Sequence, residues 1–400
     1  MTKGKYARPV DRETQILALI LKVGADIAEI SRQSGIPLET VRYLYREHVL
    51  KRRMRVQREL DHQKLGLEHI QFIVTSDPEL ELLFFNNSLQ SGVWEAVYVS
   101  SAYRIIPENL FFLDHLAPPS LHPRIREFYR ELEELGVIKV HSTYDCSRAS
   151  HPRMWVEEYN WELPGWDFDW SPSSLKPPQN ISDPPTSEPV KFDKADLLIA
   201  RELMYRYDQK VSAIAARNSL NRYSGSWHYR KHVEGRGLFG GYRINWLGTA
   251  RDAKDHRGGV PQQHQSFAGI SFIAKDLSSA EMMNVRAHFH SIPYFYGEKV
   301  GDSDYYAETF IPLTSLMEAL GFFSKILRPL EGRARLFTAD QAGSVIYTIH
   351  PQLFDGESNR WVYRGDLVLE GIRRALAGGT LGSSLKDKNR EEGAGLSSGY

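Results

Sequence analysis

The pentapeptide Tyr45-Arg46-Glu47-His48-Val49 returns as Tyr229-Arg230-Lys231-His232-Val233. The offset of 184 residues is far longer than any solenoid period. Residues upstream keep the same spacing: Ile27, Ile30, Ser31, Gly35 and Ile36 stand opposite Val211, Ile214, Ala215, Ser219 and Leu220. Both copies read apolar–x–x–apolar–small, then a small turn residue, an apolar residue and a further amphipathic stretch. One unit is duplicated, so whatever it folds into must occur twice.

The first copy reads as three helices. Asp11 to Lys22 places Ile16, Leu17, Leu19 and Ile20 on a buried side. Ala25 to Ser34 is stopped by Gly35, which accepts a left-handed turn, and Pro37 opens a third helix. Val41 and Leu44 then face inward, leaving Glu39, Thr40, Arg42, Tyr43 and Arg46 outside. This is a helix-turn-helix pattern, and the basic run Lys51, Arg52, Arg53, Arg55 and Arg58 suits a wing strand beside phosphates. The second copy gives helices over 194–207, 211–218 and 222–233, then a Gly-rich wing hairpin over 238–246. Gly225 replaces Val41, which predicts a less rigid reading helix.

After each head the periodicity changes. Strands are expected at 70–75, 93–100, 104–113 and 137–144, with helices at 78–89 and 122–135. In the second half strands are expected at 267–275, 294–300, 304–313 and 333–338, with helices at 278–290 and 316–327, and an extra strand at 344–350. The order βαββαβ predicts an α+β protein with two winged helix-turn-helix heads, each followed by a ferredoxin-like (ACT/RAM-like) domain. The expected boundaries are 11–60 and 193–250 for the heads, 66–170 and 265–375 for the ferredoxin-like domains, and 171–192 for a linker. Six prolines make that linker a stiff tether able to span roughly 60–70 Å. Residues 377–400 lack periodicity and are expected to be disordered.

Charge follows the repeat. Residues 1–60 carry 13 Lys/Arg against 7 Asp/Glu, residues 61–200 carry 11 against 22, and residues 201–260 carry 12 against 5. Two positive segments separated by an acidic body fit a protein that holds a polyanion at two points. The lone Cys146 excludes a disulfide framework and a thiolate zinc site. With no signal or membrane-spanning pattern, a cytoplasmic location is expected.

A helix-turn-helix followed directly by a βαββαβ domain resembles the Lrp/AsnC (leucine-responsive, feast/famine) regulators. The resemblance covers 11–145 and again 194–350. It implies a sequence-specific transcriptional regulator, not an enzyme, whose partners are double-stranded DNA and a small-molecule effector. It also implies oligomerisation through the ferredoxin-like domains. No cofactor is expected. In that reading Glu39, Thr40, Arg42, Tyr43 and Arg46 enter a groove, with Lys51, Arg52, Arg53, Arg55 and Arg58 on the backbone. From the second head Arg222, Tyr223, Ser226, Arg230, Lys231 and Arg236 do the same. The turn between the middle strands of the second sheet, with Gly297, Gly301, Asp302 and Asp304, is the expected effector site.

Other readings compete. Sirohaem decarboxylases resemble the same build without acting on DNA and work as paired, related subunits. His288, His290, Tyr294 and Tyr296 would then line a tetrapyrrole site, although the basic run at 51–58 argues for a polyanion instead. A tandem winged-helix replication initiator is a third reading. His288 and His290 lie two apart on a helix and so point to different faces, which gives no metal site. Trp155, Trp161, Trp166 and Trp170 among acidic residues are expected to seal the first sheet or to dock a partner.

Overall fold

The computed structural model describes residues 11–377, except 52–53, 77–93, 107, 109, 153, 162–164, 172–180, 182, 185, 206–208, 247–266 and 347–348. The helix expected at 78–89 and residues 378–400 of the expected tail lie outside the described residues. The protein mixes helices and sheet and divides into two compact units, Met1–Gly66 with Arg148–Phe337, and Leu67–Ser147 with Thr338–Tyr400.

In the first unit one series of elements occurs twice. Helices Arg12–Val23, Ile27–Ser34 and Leu38–Leu44 lead through a π-turn, Tyr45–Leu50, to the strand Arg55–Leu60. Helices Lys194–Tyr205, Val211–Arg217 and Arg222–His228 lead through the π-turn Tyr229–Glu234 to the strand Phe239–Asn245. Local chemistry sets the boundaries. Asp11 accepts a hydrogen bond from the Thr14 amide at 2.7 Å, and Asp26 caps the second helix at Ala28 and Glu29. Gly35 ends it at φ 70°; its counterpart Ser219 takes the same left-handed turn at φ 55°. Ile16, Leu17, Ile20, Ile30, Val41 and Val49 bury the apolar stripe.

Gly225 has a packing role that differs from the expected flexibility. A Cβ there would lie 2.7 Å from Ala215 Cβ, so glycine lets the two helices approach closely. Gly225→Ala is therefore expected to destabilise by about 1–3 kcal/mol through overpacking, outweighing a helix-propensity gain of about 1 kcal/mol. Urea denaturation checks this, and a stabilised variant would show that the helices can part without cost.

The second wing is not a hairpin. Phe239–Asn245 pairs antiparallel with Arg55–Leu60, from Arg55↔Asn245 to Glu59↔Gly241, with a slip at Leu60. The partner strand comes from the first repeat rather than from a local turn.

The same unit holds a sheet in which Phe267–Ala274 lies beside Tyr305–Pro312, followed by Phe295–Val300 and the short strand Arg148–Ser150. The strand that starts at Ala334 flanks Phe267–Ala274 on its other side. The edge strand Arg148–Ser150 carries the tryptophan-rich segment onto this sheet, so it does not seal the first one. Trp166 and Trp170 pack around Tyr294, whose hydroxyl donates to the Trp166 carbonyl at 2.5 Å. The Pro-rich segment is also fastened here. Ser187 donates to Gln63 and Asp61, and the Val190 amide donates to Lys64.

In the second unit the strand order is Ile138–Tyr144, Glu68–Ser76, Leu110–Ala117, Val99–Ile106, then the end of the strand Ala334–Ile346. Two strand assignments shift. Residues 94–96 form a helical turn that buries Trp94, so the second strand starts at Val99 and the third at Leu110. Tyr98, at φ 65°, takes a left-handed turn between that helical turn and the strand that starts at Val99. The separate strands expected at 333–338 and 344–350 are one, Ala334–Ile346, with an irregularity between Asp340 and Val345. Asp114, almost fully buried, accepts from Gln71 and Ser100 and meets His69 at 3.1 Å, so its charge is compensated within the sheet.

Candidate active-site cavity

Pairing of the two repeat-derived strands creates a recess in the first unit. Alternation along a strand sends Gln57 and Glu59 to one face, and the register sets Gln57 opposite Arg243. Glu59 and Arg243, with Lys22, His151, Tyr296 and Trp246, line a cavity of about 410 Å³. Tyr242 closes against the end of the first helix, where Gly24 at φ 72° leaves room; a Cβ there would meet the Tyr242 ring at 2.6 Å. Gly297 performs a similar service for His151, whose Cδ2 would stand 3.3 Å from a Cβ at that position.

The polar groups form a connected set. His151 Nδ1 lies 3.4 Å from Glu59 Oε1, and the His151 ring meets Tyr296 edge-on at 6.2 Å. Arg243 Nε donates to Gln57 Oε1 at 2.9 Å, while its guanidinium sits 5.5 Å from the Tyr296 ring centre. One guanidinium nitrogen, Nη1, is buried with no hydrogen-bond partner among the described residues. Burial raises the Glu59 carboxyl above its ordinary range, and Arg243 only partly opposes this. Burial likewise raises the Tyr296 phenol. The site thus combines an acid with a raised pKa, an imidazole beside it, and a cation with one nitrogen unpartnered among the described residues.

Sequence reasoning named Tyr296 and Gly297 but not Glu59, His151 or Arg243. Of the other residues proposed for a tetrapyrrole, His288 Nδ1 is engaged by the Asn284 carbonyl, His290 by Glu298, and Tyr294 by Trp166. The Gly301–Asp304 turn closes on itself through the Gly301 amide and the Asp304 carbonyl at 2.8 Å, and Asp302 lies within it.

The expected DNA-facing residues divide. Glu39, Arg42, Tyr43 and Arg46 are exposed and Thr40 half-buried; Arg42 pairs with Glu39, and Arg46 with Glu47. Lys51 pairs with Glu47 at 2.5 Å, and Arg55 is exposed. Arg52 and Arg53 lie outside the described residues. Arg58 departs from the expectation. Its side chain is only 10% exposed, pairs with Glu234 at 2.5 Å and lies over the Phe239 ring. Strand pairing turns it inward. In the second copy Arg222, Arg230 and Lys231 are exposed, as is Tyr223 at 84%, whereas Ser226 and Arg236 are half-buried. Trp227 is 50% exposed.

No protein-family model matches this sequence, and no curated protein matches it. Among solved structures, the chain is similar to the siroheme decarboxylase NirDL at 11% identity, covering 92% of this chain and 100% of that one, with a TM-score of 0.49. It is also similar to an AsnC family transcriptional regulator from Agrobacterium tumefaciens (16% identity, 39% of this chain, 94% of that one, TM-score 0.25). AsnC of E. coli is a further neighbour (13% identity, 38% and 94%, TM-score 0.25). The expectation that the chain is not an enzyme is corrected, because the similar structures that span more than nine-tenths of it are of an enzyme. Among the described residues, no helix is long and apolar enough to cross a membrane.

Proposed function

We propose that the cavity binds a carboxylate-bearing substrate and removes carbon dioxide from it by proton delivery. The reading rests on one observation: the Arg243 guanidinium, with one buried nitrogen unpartnered among the described residues, lines the same cavity as the Glu59–His151 pair. A buried donor without an acceptor costs about 1–3 kcal/mol, and an anionic ligand would relieve it. Decarboxylation breaks the bond between carbon and carboxylate, leaves the electron pair on carbon and requires a proton there. The His151–Glu59 pair supplies that proton, with Glu59 holding it above the usual carboxylate range. A volume of about 410 Å³ suits a small-molecule site. Siroheme, a carboxylate-bearing iron tetrapyrrole, is the first substrate to test. Incubation of the full chain with siroheme is expected to give products that have lost carbon dioxide, read by mass spectrometry. The absence of both binding and mass loss would sink this assignment.

A second reading is DNA binding by two winged heads that each precede a ferredoxin-like domain. It is favoured by the exposure of Tyr223 and Trp227 beside Arg222 and Arg230, and of Tyr43 beside Arg42 and Arg46. Each phosphate contact removed should reduce the log–log salt slope by about 0.9. The expected contributors are Lys51, Arg55, Arg222 and Lys231. Arg58→Ala should leave the slope unchanged, because that guanidinium is spent on Glu234. Fluorescence anisotropy across a salt series checks this, and a salt-independent signal would exclude phosphate contact.

A further inference from the structure

Asp193, Asp196, His228 and His232 converge in the second three-helix set, each offering one donor atom, with all four atoms within 4.8 Å of one another. Asp196 is fully buried. Its Oδ1 stands 2.9 Å from His228 Nδ1, and its Oδ2 stands 2.9 Å from His232 Nδ1. Asp193 Oδ1 is occupied by the Ala195 and Asp196 amides, while Oδ2 lies 3.4 Å from His228 Nδ1. The histidines are four apart, so one helical face presents both imidazoles. Trp227 packs against both rings, at 5.0 and 4.6 Å.

Two observations set this cluster apart from a helix-fastening ion pair. Charge is the first. Among the described residues neither carboxylate pairs with a Lys or Arg; apart from backbone amides, the groups facing these two acids, one of them fully buried, are imidazoles. Buried charges are normally paired or coordinate a metal. The repeat is the second. At the 184-residue offset the four positions are Pro9, Arg12, Leu44 and His48, and the first copy forms its three helices without the set.

We propose that Asp193, Asp196, His228 and His232 bind a divalent transition-metal cation of the zinc class. Imidazole nitrogen and carboxylate oxygen without sulfur suit Zn²⁺, Co²⁺ or Ni²⁺ better than Mg²⁺ or Ca²⁺, which favour all-oxygen sites. With Asp196 Oδ1 as donor the separations to His228 and His232 are 2.9 and 3.1 Å, Asp193 Oδ2 lies 3.4 Å from His228, and all four donors lie within 4.8 Å; tetrahedral metal–ligand bonds of about 2.1 Å give an edge of roughly 3.4 Å. The metal would fasten the start of the helix Lys194–Tyr205 to the end of Arg222–His228. The site is separate from the Glu59–His151 cavity and stands whether or not that cavity is catalytic.

Full-length protein stripped by a chelator and titrated with Co²⁺ is expected to bind one equivalent, with the visible absorption of four-coordinate cobalt. Zn²⁺ should displace the Co²⁺ and raise Tm. His228→Gln and His232→Gln should each weaken binding by more than about 100-fold, beyond the loss caused by removing an outer partner. His48→Gln should change nothing. Should the histidine variants fail to fold, the wild type still decides the matter. A Tm that is unchanged by Zn²⁺ overturns the proposal, and so does stoichiometric binding that persists in the folded double variant.

Discussion

Arg286→Met is expected to destabilise the protein by about 3–5 kcal/mol, the cost of leaving a buried charge without its partner. Arg286 is fully buried, and its Nε and Nη2 clamp the Glu298 carboxylate at 3.1 and 2.8 Å. Ser150 and Tyr305 donate to the same carboxylate, and His290 lies 3.2 Å away. Burial alone would raise the Glu298 pKa, but His290 and Arg286 outweigh it and hold the group at about 2. The wild-type contribution is therefore complete above the ordinary carboxylate pKa of 4.5 and is lost as pH falls toward about 2. In Arg286→Met the Glu298 pKa rises, so acidification should narrow the gap between variant and wild type. Urea denaturation at pH 7 and pH 4 measures both effects. Adding Glu298→Gln should recover part of the loss, since the two residues act as one unit. A loss below about 1 kcal/mol, or one insensitive to pH, would show that the carboxylate is adequately held by its other partners.

His151→Ala is expected to lower the rate of carbon dioxide release by about 10²–10⁴-fold, the range for loss of a positioned proton donor. Glu59→Gln keeps the shape of the side chain while removing its proton. It should act mainly on kcat, because the Arg243 side chain remains to hold the substrate carboxylate. Arg243→Ala should act mainly through KM. The pH profile separates the roles. Burial raises the Glu59 pKa, so its proton is available below that raised value and is lost as pH rises through it. The rate should fall on that alkaline side in the wild type and lose this limb in Glu59→Gln. Equal activity of wild type and His151→Ala on siroheme would remove His151 from the chemistry.

These sites differ in how far the linear chain betrays them. Both sets of three helices follow from local chemistry: Asp11 and Asp26 cap, Gly35 and Ser219 turn left-handed, and the Ile and Val spacing makes one apolar stripe. Local periodicity also placed most strands within a residue or two. It failed at 93–100, where Trp94 to Ala96 form a helical turn with Trp94 buried, and the strand begins only at Val99. Arg58 looked like a phosphate contact because composition records a charge and not its direction.

The sequence by itself determined the alternation of helix-rich and strand-rich segments and the exposed aromatic and basic faces at Tyr43 and Tyr223. Those properties depend on neighbours within about four residues, so a linear reading reaches them. Only the tertiary structure decided that Arg55–Leu60 pairs with Phe239–Asn245, which turns Arg58 inward and brings Glu59 to His151 and Arg243. It alone brought Asp193 and Asp196 to His228 and His232. Strand pairing and side-chain convergence join residues whose separation along the chain carries no local signal. The free energy that selects them is the burial of whole elements, which no window of the sequence contains.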